Sequence, residues 1–174
     1  MEPLRGGLLA NPPVDVKAVY DAYAVRRSPV EWGFRYLYAM PEVITILSGM
    51  STWAQVTDNL RIFDMAKRPT LTDEELALYQ KVKATYLART KTRCTGCKYC
   101  QPCPMGVQIP RIFQGYDAAM LRADSSFKAG YAQIQADHAD ASQCIHCRKC
   151  ERVCPQHLPI TRFLEEIHAA SAAE

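Results

Sequence analysis

The first half of the chain places apolar residues at helical spacing behind clear helix-start signals. Ser28 is followed by Pro29 and, three residues after the serine, by Glu31. This order of an N-cap, a first-turn proline and a reciprocal acid predicts a helix. We expect the helix to end before Pro41, because the residue ahead of a proline disfavours helical backbone. Its apolar positions are Trp32, Phe34, Tyr36 and Leu37.

Two more helices in this half begin with the same signal. Thr52 has Gln55 three residues later, which predicts a second helix. Thr72 and Glu75 stand in the same relation ahead of a third. Apolar residues recur along both helices at Trp53, Val56, Leu60, Phe63, Leu76, Tyr79, Val82 and Tyr86. Helical patterns are also present over 110–121, 125–138 and 160–170.

One segment of the first half has a strand pattern instead. Residues 42–49, EVITILSG, are rich in β-branched residues and nearly continuous in apolar character, as a parallel strand covered on both faces would be. The segment PLRGGLL at 3–9 is similar to the end of a preceding strand, since its glycines permit a sharp turn. The pattern therefore predicts a mainly α-helical chain with a short parallel β element.

Composition and charge narrow the function classes. The 174 residues include 21 Lys and Arg against 18 Asp and Glu, and this small excess does not favour nucleic acid or anionic lipid as a partner. No apolar run approaches the about eighteen residues of a membrane span. The N-terminal residues also lack the basic-then-apolar layout of a signal peptide. We expect a cytoplasmic globular protein with no membrane segment.

The eight cysteines change this picture, because they are absent from the first 93 residues and lie in two tight groups after them. Such a shift in composition predicts a domain boundary. In a chain without an export signal, clustered cysteines indicate metal or redox chemistry rather than disulfides. The groups are CTGCKYCQPCP, with Cys94, Cys97, Cys100 and Cys103, and CIHCRKCERVCP, with Cys144, Cys147, Cys150 and Cys154.

The spacing of both groups is typical of 4Fe-4S clusters. Three cysteines at three-residue intervals wrap one cubane, while the cysteine before a proline ligates the other cluster. By this rule Cys154 completes the set of Cys94, Cys97 and Cys100. Cys103 completes the set of Cys144, Cys147 and Cys150. The first motif is one residue shorter than the usual pattern, which leaves its cross-ligation open.

Zinc is the alternative reading of these cysteines, because four-cysteine zinc sites also use C-x2-C pairs. Zinc pairs are normally separated by a longer loop and do not need a third and fourth cysteine ahead of a proline. Covalent haem is excluded, since neither motif contains C-x-x-C-H. The basic residues in and beside the motifs either tune cluster potential, dock an acidic electron partner, or are merely solvated. They are Arg93, Lys98, Arg148, Lys149 and Arg152.

Several segments together resemble one known family. MEPLRGG, SPVEW, ILSGMSTWAQVTDNL, CTGCKYCQPCPMGVQIPRIF and CIHCRKCERVCPQHLPI are similar to the C-terminal part of bacterial and archaeal aldo/keto reductases with an appended iron-sulfur domain. The resemblance implies that residues 1–68 are the last portion of a (β/α)8 barrel, from the end of strand 7 through helix 8. Residues 69–92 would be a helical connector, and residues 93–174 an α-helical ferredoxin-like domain with two 4Fe-4S clusters.

The same resemblance implies an NADP or NAD site. In that family the loop after strand 7 and the turn into helix 8 hold the cofactor. Pro3 and Leu4 would lie near the nicotinamide, and Gln55, Asp58 and Asn59 would reach the adenosine. Gly49, Met50 and Ser51 would contact the 2′-phosphate. Many members carry an arginine at the position of Gln55, so the choice between NADP and NAD stays open, and these polar residues could equally be helix-capping or solvated side chains.

The family's catalytic Asp, Tyr, Lys and His have no counterpart in this sequence, so no catalytic residue is predicted. We expect the missing N-terminal half of the barrel in a longer polypeptide. Two function classes follow. The chain is the C-terminal part of an iron-sulfur oxidoreductase in which a flavin or a redox partner protein splits the electron pair of a hydride. Alternatively, it is a stand-alone ferredoxin-like electron carrier, or its clusters are purely structural.

Overall fold

A computed structural model of the chain describes residues 1–64 and 68–172 and divides into two compact units, here unit 1 (Met1–Leu87) and unit 2 (Ala88–Glu174). The regular elements in the described ranges are helical, which confirms the mainly α prediction. None of the described helices is long and apolar enough to cross a bilayer. The helices are α1 Val14–Asp21, α2 Pro29–Ala39, α3 Trp53–Phe63, α4 Asp73–Arg89, α5 Ile109–Arg122, α6 Ser126–Ala136, α7 Lys149–Arg152 and α8 Ile160–Ala172, with a 3₁₀ turn at Ala141–Gln143.

The core of unit 1 is built around the fully buried Trp32 of α2. Its ring packs edge-on against Tyr23 at 5.5 Å and Tyr79 at 5.8 Å between centroids. The guanidinium of Arg27 lies 4.3 Å from the same ring and pairs with the Glu75 carboxylate at 2.6 Å. An aromatic cluster with one stacked cation therefore joins α2 to α4.

The predicted helix starts of unit 1 are confirmed. The Ser28 hydroxyl accepts from the Glu31 N–H at 3.0 Å, and Thr52 with Gln55 forms a complete capping box. The apolar face predicted for α3 is only partly buried, because Trp53 is 81% and Leu60 67% exposed. The sequence pattern predicted the helix correctly but not how much of its apolar face is buried.

The predicted parallel β element at residues 42–49 is wrong, since the described residues contain no strand. A strand is stable only when neighbouring strands accept its hydrogen bonds. Here the Arg68 guanidinium donates instead to the carbonyls of Met40 and Val43, and Ile44 is 91% exposed. The segment 3–9 likewise forms turns rather than a strand end, and Leu4 accepts from the N–H groups of Gly7 and Leu9. The prediction failed because it rested on β-branched composition alone, and no neighbouring strand had been identified to pair with this segment.

Unit 2 packs α5, α6 and α8 around a separate core, and the predicted helices there are confirmed within a few residues at their ends. The cysteine loops lie against this core, each leading directly into a long helix. The first loop leads into α5 and the second into α8. The largest fully buried side chains of the core are Ile109, Ile112, Phe113, Tyr131, Ile160, Leu164 and Ile167.

Candidate metal centre

The two cysteine loops follow the same backbone course. In the first loop Gly96 and Lys98, on either side of Cys97, have positive φ values of 70° and 66°. In the second loop His146 and Arg148, on either side of Cys147, both have φ of 56°. The third residue after each proline-preceding cysteine is also left-handed, and its N–H donates to that cysteine's carbonyl at 3.0 Å. These residues are Gly106 and His157.

This shared conformation suits a negatively charged group held inside each loop. Left-handed backbone costs a non-glycine residue about 1 kcal/mol or more, so it persists only where the surroundings impose it. Successive N–H groups in such a turn point into a concavity that binds anions. The Gly96 N–H already donates to the Cys94 sulfur at 3.4 Å. The glycines were the only sequence signal of this feature, and the strained positions of Lys98, His146 and Arg148 were missed.

A buried carboxylate anchors the entry to the first loop. Asp117, on α5, is 8% exposed and accepts the N–H groups of residues 91–93 at 2.9, 3.1 and 2.8 Å. It also accepts the Thr92 hydroxyl at 2.8 Å, and that hydroxyl in turn accepts the Cys94 N–H. Asp117 therefore fixes where the first cysteine stands relative to α5. Sequence reasoning did not single it out.

The second loop is tied to its helix in a similar way. The Glu151 carboxylate, between Cys150 and Cys154, accepts both the N–H and the hydroxyl of Thr161 at 2.9 Å. At the loop entry, Asp140 accepts the Ser142 N–H at 3.1 Å. Side chains from the helices thus hold each cysteine loop in place.

The cysteines come together in two groups that cross the sequence motifs. Cys94, Cys97 and Cys100 line one cavity, and Cys154 of the second motif lines it with them. Cys144, Cys147 and Cys150 line a second cavity together with Cys103 of the first motif. Cys100 and Ile109 border both cavities, so the two lie side by side. The structure groups the residues as the crossed rule predicts, and their role as ligands stays a prediction.

Burial controls the protonation of the inner thiols. It raises the pKa of Cys94 and of Cys100, and the nearby Cys97 and Cys154 raise both further. Burial likewise raises the pKa of Cys150 to about 11. At neutral pH these three thiols therefore hold their protons, which they would release on binding a cationic iron-sulfide core. In each group the middle cysteine, Cys97 or Cys147, is the exposed one.

The donor set fits two four-iron clusters, although the cavities differ in width. The cavity of Cys147 measures about 180 Å³, whereas that of Cys97 measures about 20 Å³, the room of roughly one water molecule. In the described part of the chain, no three His, Cys, Asp or Glu side chains stand close enough to hold a single metal ion.

A third cavity, in unit 1, gathers most of the residues predicted to bind a nucleotide. It measures about 580 Å³ and is bordered by seven of the eight, the exception being Ser51. Its polar side chains already have partners: Gln55 accepts from Ser51 and Thr52, and Asn59 donates to Ser48. The nucleotide role of these residues stays a prediction. The seven are Pro3, Leu4, Gly49, Met50, Gln55, Asp58 and Asn59.

Comparison with protein families bears on the cysteine-rich part. The family model of the 4Fe-4S dicluster domain matches residues 93–158, a stretch that contains all eight cysteines. This stretch is a ferredoxin-like iron-sulfur domain. With its eight cysteines it fits two 4Fe-4S clusters. No curated protein and no solved structure matched the chain.

The ferredoxin-like domain exposes the basic residues that its motifs carry. Arg93, Lys98, Arg148, Lys149 and Arg152 are all solvent-exposed. Unit 2, which contains the domain, has eleven Lys and Arg against eight Asp and Glu, while unit 1 is balanced at ten of each. The whole positive excess of the chain therefore belongs to the unit with the cysteines.

Proposed function

We propose that the chain transfers electrons through two 4Fe-4S clusters as part of an oxidoreductase. One cluster is held by Cys94, Cys97, Cys100 and Cys154, and the other by Cys103, Cys144, Cys147 and Cys150. The observation that carries this proposal is the crossed grouping of eight thiols around two adjacent cavities. The match of residues 93–158 to the dicluster domain supports it.

When bound, each cluster takes up or releases one electron. The residues of the chain set the conditions for this exchange. The buried side chains of Ile109, Phe113 and Leu164 exclude water from the inner side of the loops. Because Cys100 and Ile109 border both cavities, the two clusters would be separated by little more than one side chain. This adjacency supports relay of an electron from one site to the other.

Metal analysis of the anaerobically purified full chain tests the ligand assignment. We expect about eight iron and eight sulfide per chain. Zinc in stoichiometric amount, without sulfide, would contradict it and would favour the four-cysteine zinc alternative.

Reversible reduction separates electron transfer from a purely structural role. We expect the visible absorption of the loaded protein to bleach on reduction and to return on reoxidation, with a paramagnetic signal from the reduced state. A purely structural role would be supported by two results together. The clusters would stay oxidised across the whole accessible potential range, and the protein would unfold when they are removed.

A second proposal concerns residues 1–68, which we infer to be the last portion of an aldo/keto reductase barrel that binds NADP or NAD. The cavity bordered by Gly49, Met50 and Asn59 supports it, together with the motif resemblance in this segment. The catalytic residues would come from a longer polypeptide, and a flavin or a partner protein would split the hydride's electron pair.

Titration of the full chain with NADPH and NADH tests this second proposal. Cofactor fluorescence is a suitable measure, and Asn59→Ala and Gly49→Val are the informative variants. Saturable binding that both variants weaken would support a nucleotide site. Redox-active clusters with no nucleotide affinity would favour a ferredoxin-like electron carrier.

A further inference from the structure

We propose that the mouth of the Cys147 cavity is a docking surface for an acidic redox protein, and that electrons leave or enter the chain there. The inference rests on the proposed electron-transfer function and adds the partner's chemistry and its place of contact. We call this surface the Cys147 face. It consists of Tyr99, Met105, Ile145, Cys147, Arg148, Lys149 and Val153, all of which border the cavity.

The centre of the Cys147 face is apolar and exposed. Ile145 is 60%, Val153 52% and Met105 41% exposed, and the ring of Tyr99 is 67% exposed. These side chains come from different parts of both cysteine loops, yet they surround one opening. Exposed apolar side chains gathered at one place, rather than scattered, mark interaction sites.

The charges on the two cysteine loops that have no partner are all positive. Within the described ranges, the side chains of Lys98, Arg148, Lys149 and Arg152 have no ion pair. The acidic groups nearby are engaged: Glu151 accepts from Thr161, while Glu165 lies 3.5 Å from His146. Glu166 pairs with Lys91 and Arg162. Of the four cations, Arg148 and Lys149 border the Cys147 cavity. A partner with carboxylates around an apolar centre would complement them.

The opening also exposes a thiol of the site. Cys147 is the exposed thiol of its group, and the Cys147 face surrounds it. The mouth of the Cys97 cavity shares Tyr99 with it but is otherwise bordered by Thr95, Lys98, Pro155 and Gln156. Met105, Ile145 and Val153 border only the Cys147 cavity. Cys97 is exposed as well, so it is the apolar rim and not the exposure of a thiol that assigns external exchange to the Cys147 site. A small apolar centre with a charged rim suits the brief encounters of redox proteins.

The test uses the full chain loaded with iron and an acidic plant-type [2Fe-2S] ferredoxin as the probe. Affinity is measured calorimetrically at low and high ionic strength, and electron exchange by stopped flow in the direction that the two potentials favour. The charge variant is Arg148→Glu with Lys149→Glu, which reverses the two cations that border the Cys147 cavity. Its matched control is Lys81→Glu with Lys83→Glu on α4, which changes net charge by the same amount on exposed lysines of unit 1.

The apolar centre is tested by a second variant with its own matched control. Val153→Ser removes an apolar side chain from the Cys147 face, and Val14→Ser makes the same change at a site in unit 1 that is 87% exposed. Iron content is measured for every variant, so that loss of a cluster is not mistaken for loss of docking.

We expect the charge variant to weaken binding at low ionic strength by roughly tenfold or more and to flatten its salt dependence. Val153→Ser should weaken binding severalfold, while both control variants stay within about twofold of the parent protein. Fully loaded variants that bind like the parent would overturn the proposal, as would a parent protein that does not bind the probe. Self-association abolished by Val153→Ser would assign the face to a second copy and also overturn it. Clusters that cannot be reduced would instead refute the electron-transfer function, whatever the binding shows.

Discussion

Gly96 occupies a left-handed position in the first cysteine loop, where a side chain would force that of Gln114 to move. Its φ is +70°, and a Cβ there would lie 2.3 Å from the amide nitrogen of Gln114. The left-handed backbone and the nearby Gln114 side chain both disfavour a larger residue at position 96.

We therefore predict that Gly96→Ala lowers the free energy of unfolding of the loaded protein by about 1–2 kcal/mol and speeds iron loss. Chemical denaturation followed by cluster absorbance measures both. Gly130→Ala is the matched control, because Gly130 lies inside α6 with open space around it, and alanine should stabilise that helix by up to about 1 kcal/mol. Equal effects of the two substitutions would refute the strain argument.

Asp117 is the second residue on which the first loop depends. Asp117→Asn keeps the shape but replaces one acceptor oxygen by a donor that faces backbone N–H groups. We expect the free energy of unfolding of unit 2 to fall by about 2–3 kcal/mol, since hydrogen bonds to a buried charge are among the stronger ones. Cluster absorbance during denaturation reports the change. Asp124→Asn, at an exposed helix start, should have little effect, and an Asp117 variant as stable as this control would contradict the prediction.

At the scale of elements, the contact between α2 and α4 depends on the Arg27–Glu75 pair. Burial alone would raise the pKa of Glu75, but the Thr72 N–H and the Arg27 guanidinium hold the pKa below its usual value of 4.5. A carboxyl with a lowered pKa stabilises the fold above its unfolded pKa, and this contribution is lost as pH falls through the folded pKa.

We predict that unit 1 loses stability as pH falls below about 4.5 and that Glu75→Gln removes part of this dependence while costing roughly 2 kcal/mol at neutral pH. Both tryptophans lie in unit 1, so their emission during denaturation follows this unit. Glu74→Gln on the exposed side of α4 is the control. A pH profile of Glu75→Gln identical to that of the parent would show that the pair does not carry the effect.

The helices also show which elements the sequence pattern can predict and which it cannot. The starts of α2, α3 and α4 could be predicted because a capping box is a local interaction within four residues. The strand at residues 42–49 could not, because a strand is defined by a partner elsewhere. The short helices α1 and α7 were also missed, since eight and four residues are too few for a clear period.

At the scale of the whole molecule, the site was predictable from spacing, whereas its supports were not. The grouping of Cys154 with Cys94 and Cys97 followed from one rule about cysteines before proline. Asp117 and Glu151 carry no motif, because their partners lie 24 and 10 residues away in the sequence. The left-handed positions of Lys98, His146 and Arg148 carry none because their residue types do not favour that backbone.

Paired cysteine variants test the crossed ligation. Cys97→Ser with Cys154→Ser removes two ligands of one predicted cluster, so we expect about four iron to remain. Cys97→Ser with Cys103→Ser removes one ligand from each, and both clusters should be weakened or lost. Iron content and the visible spectrum measure the outcome. If the second pair kept four iron and the first kept none, each motif would ligate its own cluster.

The crossed grouping also bears on how the protein is made. Cys154 faces the cavity of the first loop but lies after α5 and α6 in the chain. During synthesis, Cys94, Cys97 and Cys100 emerge from the ribosome well before Cys154, their fourth proposed ligand. Under the proposed ligation, the set with Cys103 is complete only when residue 150 has been synthesised and the set with Cys94 only at residue 154, so iron delivered early would meet partial sites. Under the proposed ligation, a chain interrupted between the two loops would therefore hold neither cluster.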